Sequence, residues 1–478
     1  MKIFELAIIE KKVLDLLNLI GGIADREQTE VYVVGGFVRD LILKREKNEI
    51  DLLVVGDGIK FAKVIAKELN QKNLTVYKNF GTAMIQLPDF KIEFVGSRKE
   101  SYKKTSRKPI VHSGTFEDDI YRRDFTINSI AFSINQARFG EIVDLFNGLQ
   151  DIEKKIIRTP LDPFTTFDDD PLRIMRAFRF ASQLEFSVEE KTLEAIEKMR
   201  ERLNIVSPQR ITDEFFKIMM SPKPSIGLGL MYKTKVLELL YPEIANLAGV
   251  EQRKDFHHKD VFWHTLEVID KISKETDNLW LRLAALFHDI AKPVTKAYDE
   301  KIGWTFHGHD DIGAKMIKKL FMKYNFPLHK VSYIEKLVRL HLRPIALVNN
   351  EVTDSAIRRL IVSADEDLDD LILLCRCDIT SKNKVKQREY QKNYDYIVQK
   401  INDVLERDKL RAFQSPVRGE EIMRLFNLPP SKGVGIIKSK IENAILEGKI
   451  PNTYEAALEY IHKNFDLLSK EVEIYRNQ

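Results

Sequence analysis

The sequence predicts an α+β protein in which an N-terminal mixed-sheet domain is followed by all-helical domains. Three observations carry this expectation. Short apolar, β-branched runs crowd the first third of the chain, and segments of helical period lie between them. Beyond Pro160 the pattern is almost wholly helical, punctuated by Pro163, Pro208, Pro222, Pro224, Pro242, Pro327 and Pro344.

Taken in order, MKIFELAIIEKKVLDLLNLIGG interrupts its apolar residues with Glu5, Glu10, Lys11, Lys12 and Asp15. It predicts an amphipathic helix over residues 1–27 rather than a signal peptide. Strands follow at VYVVG, IDLLVVG, LTVYKNF, TAMIQL, KIEFVGS, SIAFSI and IVDLF, with IKFAKVIAKELN as a helix among them. The basic stretch 101–112, with Lys103, Lys104, Arg107 and Lys108, reads as a loop. No internal repeat, low-complexity tract or long linker interrupts the helical remainder.

With 478 residues, 44% hydrophobic and 31% charged, the chain is long enough for three or four structural units. Its net charge of +4 is too small to define a nucleic-acid partner. Cys375 and Cys377 are too few for a disulfide framework and read as reduced and structural. No run approaches membrane-spanning length, so the expectation is a cytoplasmic protein without a membrane partner.

The segment VYVVGGFVRDLILKREKNEID carries the first chemical signal. Gly35 and Gly36 at a strand-to-helix joint let backbone approach phosphate oxygens, and Arg39 and Asp40 follow on the helix. Glu49 and Asp51, two apart on a strand, project to one side and can share divalent cations. Glu93 on a later strand reads by itself as a solvated residue and gains weight as a third acid only from that pair. RRDFTIN supplies Arg123 as a fixed cation for phosphate, with Asp124 and Asn128 able to hydrogen-bond ribose hydroxyls.

In TTFDDDPLRIMRAFRFASQLEF, Asp169 and Asp170 precede Pro171 and suit helix caps. Arg173, Arg176 and Arg179 recur on one helical face. An aspartate acceptor beside an arginine fork can also bond the Watson–Crick edge of a base.

Farther on, His264, the His288-Asp289 pair, His309, His341 and Asp378 follow the H, HD, H, H, D order of HD-domain phosphohydrolases. Imidazole and carboxylate together suit a transition metal such as Ni²⁺, Mn²⁺, Fe²⁺, Co²⁺ or Zn²⁺ rather than Mg²⁺ alone. His307 is a candidate to support these ligands, His257 and His258 read as exposed, and Trp263, Trp280 and Trp304 as packing residues.

Together, GGFVRD, the acid-x-acid pair, RRDFTIN, DLFNGLQDIEKKIIR and DDPLRIMRAFRFA closely resemble the class II tRNA nucleotidyltransferases, the family of CCA-adding enzymes and bacterial poly(A) polymerases. The resemblance implies a polymerase β-like nucleotidyltransferase head over 1–155, a helical neck over 156–245 and an HD domain over 246–400. A tRNA-binding helical tail would occupy 401–478. It implies that Gly35, Gly36 and Arg39 hold the triphosphate, that Glu49 and Asp51 bind Mg²⁺, and that Glu93 is the third catalytic acid. Arg123 and Asn128 would contact phosphate and sugar, Asp170 and Arg173 would read the base, and Arg176 would steady the nucleotide. Asp144 to Arg158 would match a hinge, and 101–112 an element needed for adding adenosine. Lys432, Lys438, Lys440 and Lys449 are candidate phosphate contacts.

The chain departs from the family pattern at two positions. Glu49 stands where the family has an aspartate, and Asp169 stands where its template begins with a glutamate. The implied activity is addition of CMP and AMP to the tRNA 3′ end from CTP and ATP, with an accessory HD phosphohydrolase. The alternatives are a poly(A) polymerase, a CC- or A-adding enzyme, or an HD phosphohydrolase whose head only binds RNA.

Overall fold

The computed structural model describes all residues except 46–47, 79–80, 104–105, 251–259, 302, 349–352, 381–383, 409–414 and 477–478. Lys104, His257 and His258 therefore lie outside the described residues. The chain forms two compact units, one of Met1–Asn246 with Lys323–Phe326, the other of Leu247–Met322 with Pro327–Gln478.

In the first unit, helix α1 (Lys11–Arg26) starts later than the helix expected over 1–27, Ile3–Glu5 forming a separate 3₁₀ turn, and buries Val13, Leu17, Ile20 and Ala24 along one face. Gly21 is required on that face, because a Cβ would lie 1.9 Å from the Ile134 carbonyl oxygen. Strand β1 (Val31–Val34) is fully buried, as its unbroken apolar run demands, and passes through Gly35 into α2 (Gly36–Ile42). Gly35 has φ +75°, a conformation open to glycine at little cost. Strand β2 (Glu49–Val54) leads to α3 (Gly58–Glu68), whose first turn is capped by the Asp57 carboxylate accepting from Ile59 and Lys60 amides at 3.0 and 2.9 Å.

Strands β3 (Leu74–Tyr77), β4 (Thr82–Gln86) and β5 (Lys91–Gly96) extend the sheet. After them, β6 (Arg98–Lys103) and β7 (Ser106–Ser113) pair antiparallel as a separate two-stranded sheet. This corrects the loop expected over 101–112: the charged residues hid a strand period that cross-strand pairing enforces. Helix α4 (Phe116–Tyr121), strands β8 (Ala131–Ser133) and β9 (Ile142–Val143) and helix α5 (Gly148–Lys154) complete the sheet-bearing part. The main sheet runs β3-β4-β5-β2-β1-β8-β9. Within this sheet, among the described residues, only β2 and β5 pair parallel, so the sheet is mixed, as the sequence predicts.

Helices α6 (Pro163–Asp169), α7 (Leu172–Leu184), α8 (Glu190–Met199) and α9 (Pro208–Met219) follow. Pro163 opens α6 behind the Asp162 cap, and Pro208 opens α9. Helix α7 is buried along most of its length, including Arg173 and Arg179.

Among its described residues the second unit is helical apart from a short hairpin, Ala297–Asp299 with Gly303–Thr305, that the sequence reading missed. Its first long helix, Val261–Glu275, is capped by Asp260, and the next, Leu279–Phe287, by Asn278. The C-terminal helices bury a core of their own, with Val417, Ile422, Ile437, Ile441, Ala457 and Ile461 fully enclosed. Trp263 corrects another expectation, since it is 52% exposed rather than packed. His307 is exposed as well. Among the described residues, no helix is long and apolar enough to cross a membrane.

Candidate active site and metal centre

The first unit holds a cavity of about 1030 Å³ lined by Gly35, Gly36, Arg39, Asp51, Glu93, Arg123, Asn128, Asp170, Arg173 and Arg176. These residues come from the β1–α2 joint, the paired strands β2 and β5, the segment after α4, and α7. Ten of the eleven residues singled out for nucleotide and metal chemistry thus share one space. Glu49 is the exception: its side chain is 57% exposed and pairs with Lys91 at 3.3 Å.

Parallel register sets Asp51 directly beside Glu93. Burial first, and then the Asp51 charge, raises the Glu93 pKa above the ordinary carboxylate range. Two acids crowded so that one resists ionisation are a donor set that divalent cations fit, because a bound cation relieves both desolvation and repulsion. Gly35 completes the floor. A Cβ there would lie 3.0 Å from an Arg123 guanidinium nitrogen and 3.6 Å from an Asp51 oxygen.

A polar chain crosses the cavity. Arg39 donates to Asn128 Oδ1 at 2.6 Å and to both Asp40 oxygens at 3.0 and 2.9 Å. Asn128 Nδ2 donates to Asp124 Oδ1 at 3.0 Å, and Arg176 Nε donates to Asp124 Oδ2 at 2.7 Å. Burial opposes charge on Asp124, yet Arg176 and Asn128 outweigh it and hold its pKa far below the usual range. Phe180 lies under three guanidinium groups, with Arg179, Arg39 and Arg176 at 4.3, 5.0 and 5.4 Å from its ring centroid. Burial, and then Arg176, pushes the Arg179 pKa down to about 10.

The Asp170 carboxylate accepts from the Leu172 amide at 3.2 Å, with Arg210 at 3.5 Å from its other oxygen, but the N-cap position of α7 is held by Pro171 and Asp170 itself is the C-cap of α6. Asp169 is the last residue of α6. Arg173 donates to the backbone carbonyls of Thr166 and Arg122. Phe180 and Arg210 also line the cavity and were not found by sequence reasoning. The spacing RAFRFA held the only cue to Phe180.

The second unit gathers its six candidate ligands as two adjoining sets, His264, His288 and Asp378, and Asp289, His309 and His341. Local backbone aims the rings. The Nδ1 atoms of His288, His309 and His341 lie 2.8, 2.7 and 2.6 Å from the carbonyls of Ala285, Phe306 and Val338, and His264 Nδ1 lies 2.8 Å from Thr380 Oγ1. Each Nε2 is thereby turned inward, the arrangement that supports imidazole ligation. The Nε2 atoms of His288, His309 and His341 are buried without hydrogen-bond partners. Buried orphan acceptors converging in this way fit a metal ion.

Electrostatics agree. Burial disfavours charge on His288, but Asp289 and Asp378 outweigh it and raise its pKa to about 10. Burial and then the His288 charge lower His341 to about 4. Lys292 adds a cation 2.7 Å from Asp289 Oδ2, and neither it nor Thr380 was anticipated. Cys375 and Cys377 are buried free thiols, and burial pushes both pKa values up.

A mixed-sheet head with a carboxylate- and arginine-lined cavity, followed by a helical histidine–aspartate cluster, defines a nucleotidyltransferase joined to an HD domain. Residues 31–158 match the poly A polymerase head domain, 185–247 the probable RNA and SrmB-binding site of polymerase A, and 261–381 the HD domain. The A-adding tRNA nucleotidyltransferase of Deinococcus radiodurans is 30% identical over 349 residues, covering 71% of this chain and 77% of the relative. The multifunctional CCA protein of Shewanella frigidimarina is 29% identical over 375 residues, covering 76% and 86%. An A-adding tRNA nucleotidyltransferase of Geobacter sulfurreducens is 32% identical over 254 residues; the match covers 52% of this chain and 28% of that longer relative. The solved Thermotoga maritima CCA-adding enzyme complexed with tRNA shares the fold, with a TM-score of 0.61 at 21% identity over 97% of this chain and 98% of that one. The chain belongs to the tRNA nucleotidyltransferase family. Both of its domain types depend on divalent metal ions.

Proposed function

We propose that this chain adds CMP and AMP to the 3′ end of tRNA from CTP and ATP, and that its HD domain is a metal-dependent phosphohydrolase. The observation that carries the first reading is the single cavity in which paired acids face a row of arginines. The match to relatives named as A-adding and multifunctional CCA proteins supports it.

In this reading Asp51 and Glu93, with Glu49, would hold Mg²⁺. Bound there, the metal supplies a lowered pKa for the attacking tRNA 3′-hydroxyl and neutralises charge on the departing pyrophosphate. The protein's own groups do the positioning. Gly35 and Gly36 admit the triphosphate close to backbone, while Arg39 and Arg123 give it fixed positive charge. Asn128 and Asp124 present an amide and an acceptor to the sugar. Asp170 accepts from a base's exocyclic amine and Arg173 donates to its ring edge, so cytosine and adenine are favoured over uracil. Their present backbone partners hold both side chains at the cavity wall. Arg176, fixed by Asp124, steadies the nucleotide.

At the second centre, His264, His288, Asp289, His309, His341 and Asp378 would hold a transition metal such as Ni²⁺, Mn²⁺, Fe²⁺, Co²⁺ or Zn²⁺. When bound, such a metal supplies Lewis acidity toward a phosphoester. Lys292, next to Asp289, offers a phosphate oxygen a compensating positive charge. Exposed Lys432, Lys438, Lys440 and Lys449 would contact tRNA phosphates, because the A-form acceptor stem hides base edges in its narrow major groove.

Incubation with labelled CTP or ATP and tRNA ending at its discriminator base or at CC tests the transferase reading. Extension of both acceptors supports full CCA addition. Extension of the CC-ended acceptor by AMP alone marks an A-adding enzyme, and extension of neither refutes transfer. Release of phosphate from a phosphomonoester, dependent on added Ni²⁺ or Mn²⁺ and lost in Asp289→Ala, tests the hydrolase.

A further inference from the structure

Glu49 and Lys91 begin the parallel strands β2 and β5 as register partners, two residues ahead of the Asp51–Glu93 pair. All four side chains therefore project to the same side of the sheet. Asp51 and Glu93 line the cavity, but Glu49 is turned to Lys91, whose ammonium donates to Glu49 Oε1 at 3.3 Å.

Resting on the reading of the head as a metal-dependent transferase, we infer that Lys91 is a positioning residue that holds the Glu49 carboxylate off the cation site, so metal loading must break this ion pair. A carboxylate cannot give its full charge to an ammonium and to a divalent cation at once. The partner that dehydrates more easily has the advantage, and Mg²⁺ sheds water reluctantly. The extra methylene of glutamate, relative to aspartate, is what gives the carboxylate reach toward Lys91. The ammonium also lies in the field of Glu93 and Asp51: its pKa is raised first by the Glu49 hydrogen bond and further by those two charges. Lys91 can therefore act in two ways, by occupying Glu49 and by repelling cations directly. Only the first requires Glu49.

Mn²⁺ binding followed by electron paramagnetic resonance on the full chain separates these effects, with the head contribution defined as the binding lost in Asp51→Asn. Lys91→Met is expected to tighten that contribution about three- to fivefold, the scale of removing an exposed ion pair. Glu49→Asp, too short to keep the pair, should shift affinity in the same direction, while Lys91→Arg should keep the wild-type value. In a Glu49→Gln background, Lys91→Met should change affinity by less than about twofold. Equal affinity of wild type and Lys91→Met overturns the role of Lys91 and leaves the head reading standing. Equal tightening with and without Glu49 also overturns it, assigning the effect to repulsion alone. Absence of any Asp51-dependent Mn²⁺ binding in every variant overturns both this inference and the head reading.

Discussion

Asp124 and Arg176 form an ion pair, Nε to Oδ2 at 2.7 Å, that fastens the segment after α4 to helix α7 across the floor of the cavity. The aspartate side chain is 8% exposed and the arginine 33%, so solvent screens the pair only weakly. The same carboxylate orients Asn128, which in turn receives Arg39. One buried anion thus sets the position of three candidate nucleotide contacts.

Removing that anion leaves Arg176 without its partner and Asn128 without its acceptor. Asp124→Ala is expected to lower stability by about 3 kcal/mol, measured by urea denaturation. A loss under about 0.5 kcal/mol, the level of an ordinary surface change, would show that the pair is not structural.

The pair also predicts acid sensitivity. Asp124 has a folded pKa below its ordinary value of 3.8, so the stability it contributes is complete above that value and fades as pH falls through the folded one. Stability plotted against pH should therefore decline below pH 3.8, and less steeply in Asp124→Asn. Parallel curves would remove Asp124 from the explanation.

Asp51→Asn keeps the side-chain volume and discards the charge. Nucleotidyl transfer should fall by at least about a hundredfold, because reacting groups no longer meet in an aligned geometry, with the circular dichroism spectrum unchanged. Near-normal turnover would end the assignment of Asp51.

Asp170→Ala and Arg173→Ala address base choice. Each should reduce discrimination against UTP by about 1–3 kcal/mol, the worth of a good side-chain–base pair, while triphosphate affinity changes little. Unaltered discrimination would mean that both residues only brace α7, through the Leu172 amide and Thr166 carbonyl contacts they already make.

Metal removal should expose the histidine cluster's own titration. Without metal, the folded pKa of His288 is about 10 against an ordinary 6.5, so its contribution to stability is complete below 6.5 and is lost as pH rises through 10. Chelated protein should accordingly lose stability on alkaline titration. Metal ligation needs neutral imidazole, so Ni²⁺ or Mn²⁺ affinity should increase with pH, and metal at a hundred times its Kd should add about 2.7 kcal/mol. A melting temperature indifferent to both chelator and metal would contradict the centre.

Much of the sheet was legible because its strands are buried on at least one face and read as apolar runs; Val31–Val34 is the clearest. The cavity was legible in part because Gly35, Gly36, Arg39, Arg123, Asn128, Asp170, Arg173 and Arg176 sit in short motifs, although Phe180 and Arg210 were missed and only folding brings Asp51 beside Glu93 and Asn128 beside Arg39. Other features depend on tertiary context. Strands β6 and β7 carry too many charges to show a period, the hairpin at 297–305 has strands of three residues, and Trp263 faces outward from a helix that buries its neighbour Phe262. The pairing of Glu49 with Lys91 follows from a parallel register between strands 42 positions apart, which no local pattern encodes.

The most direct measurement gives the purified chain labelled CTP and ATP with tRNA ending at the discriminator base, in wild-type and Asp51→Asn forms. The account predicts a complete CCA end with the first and none with the second. Equal labelling by the two proteins, or none by either, would contradict it.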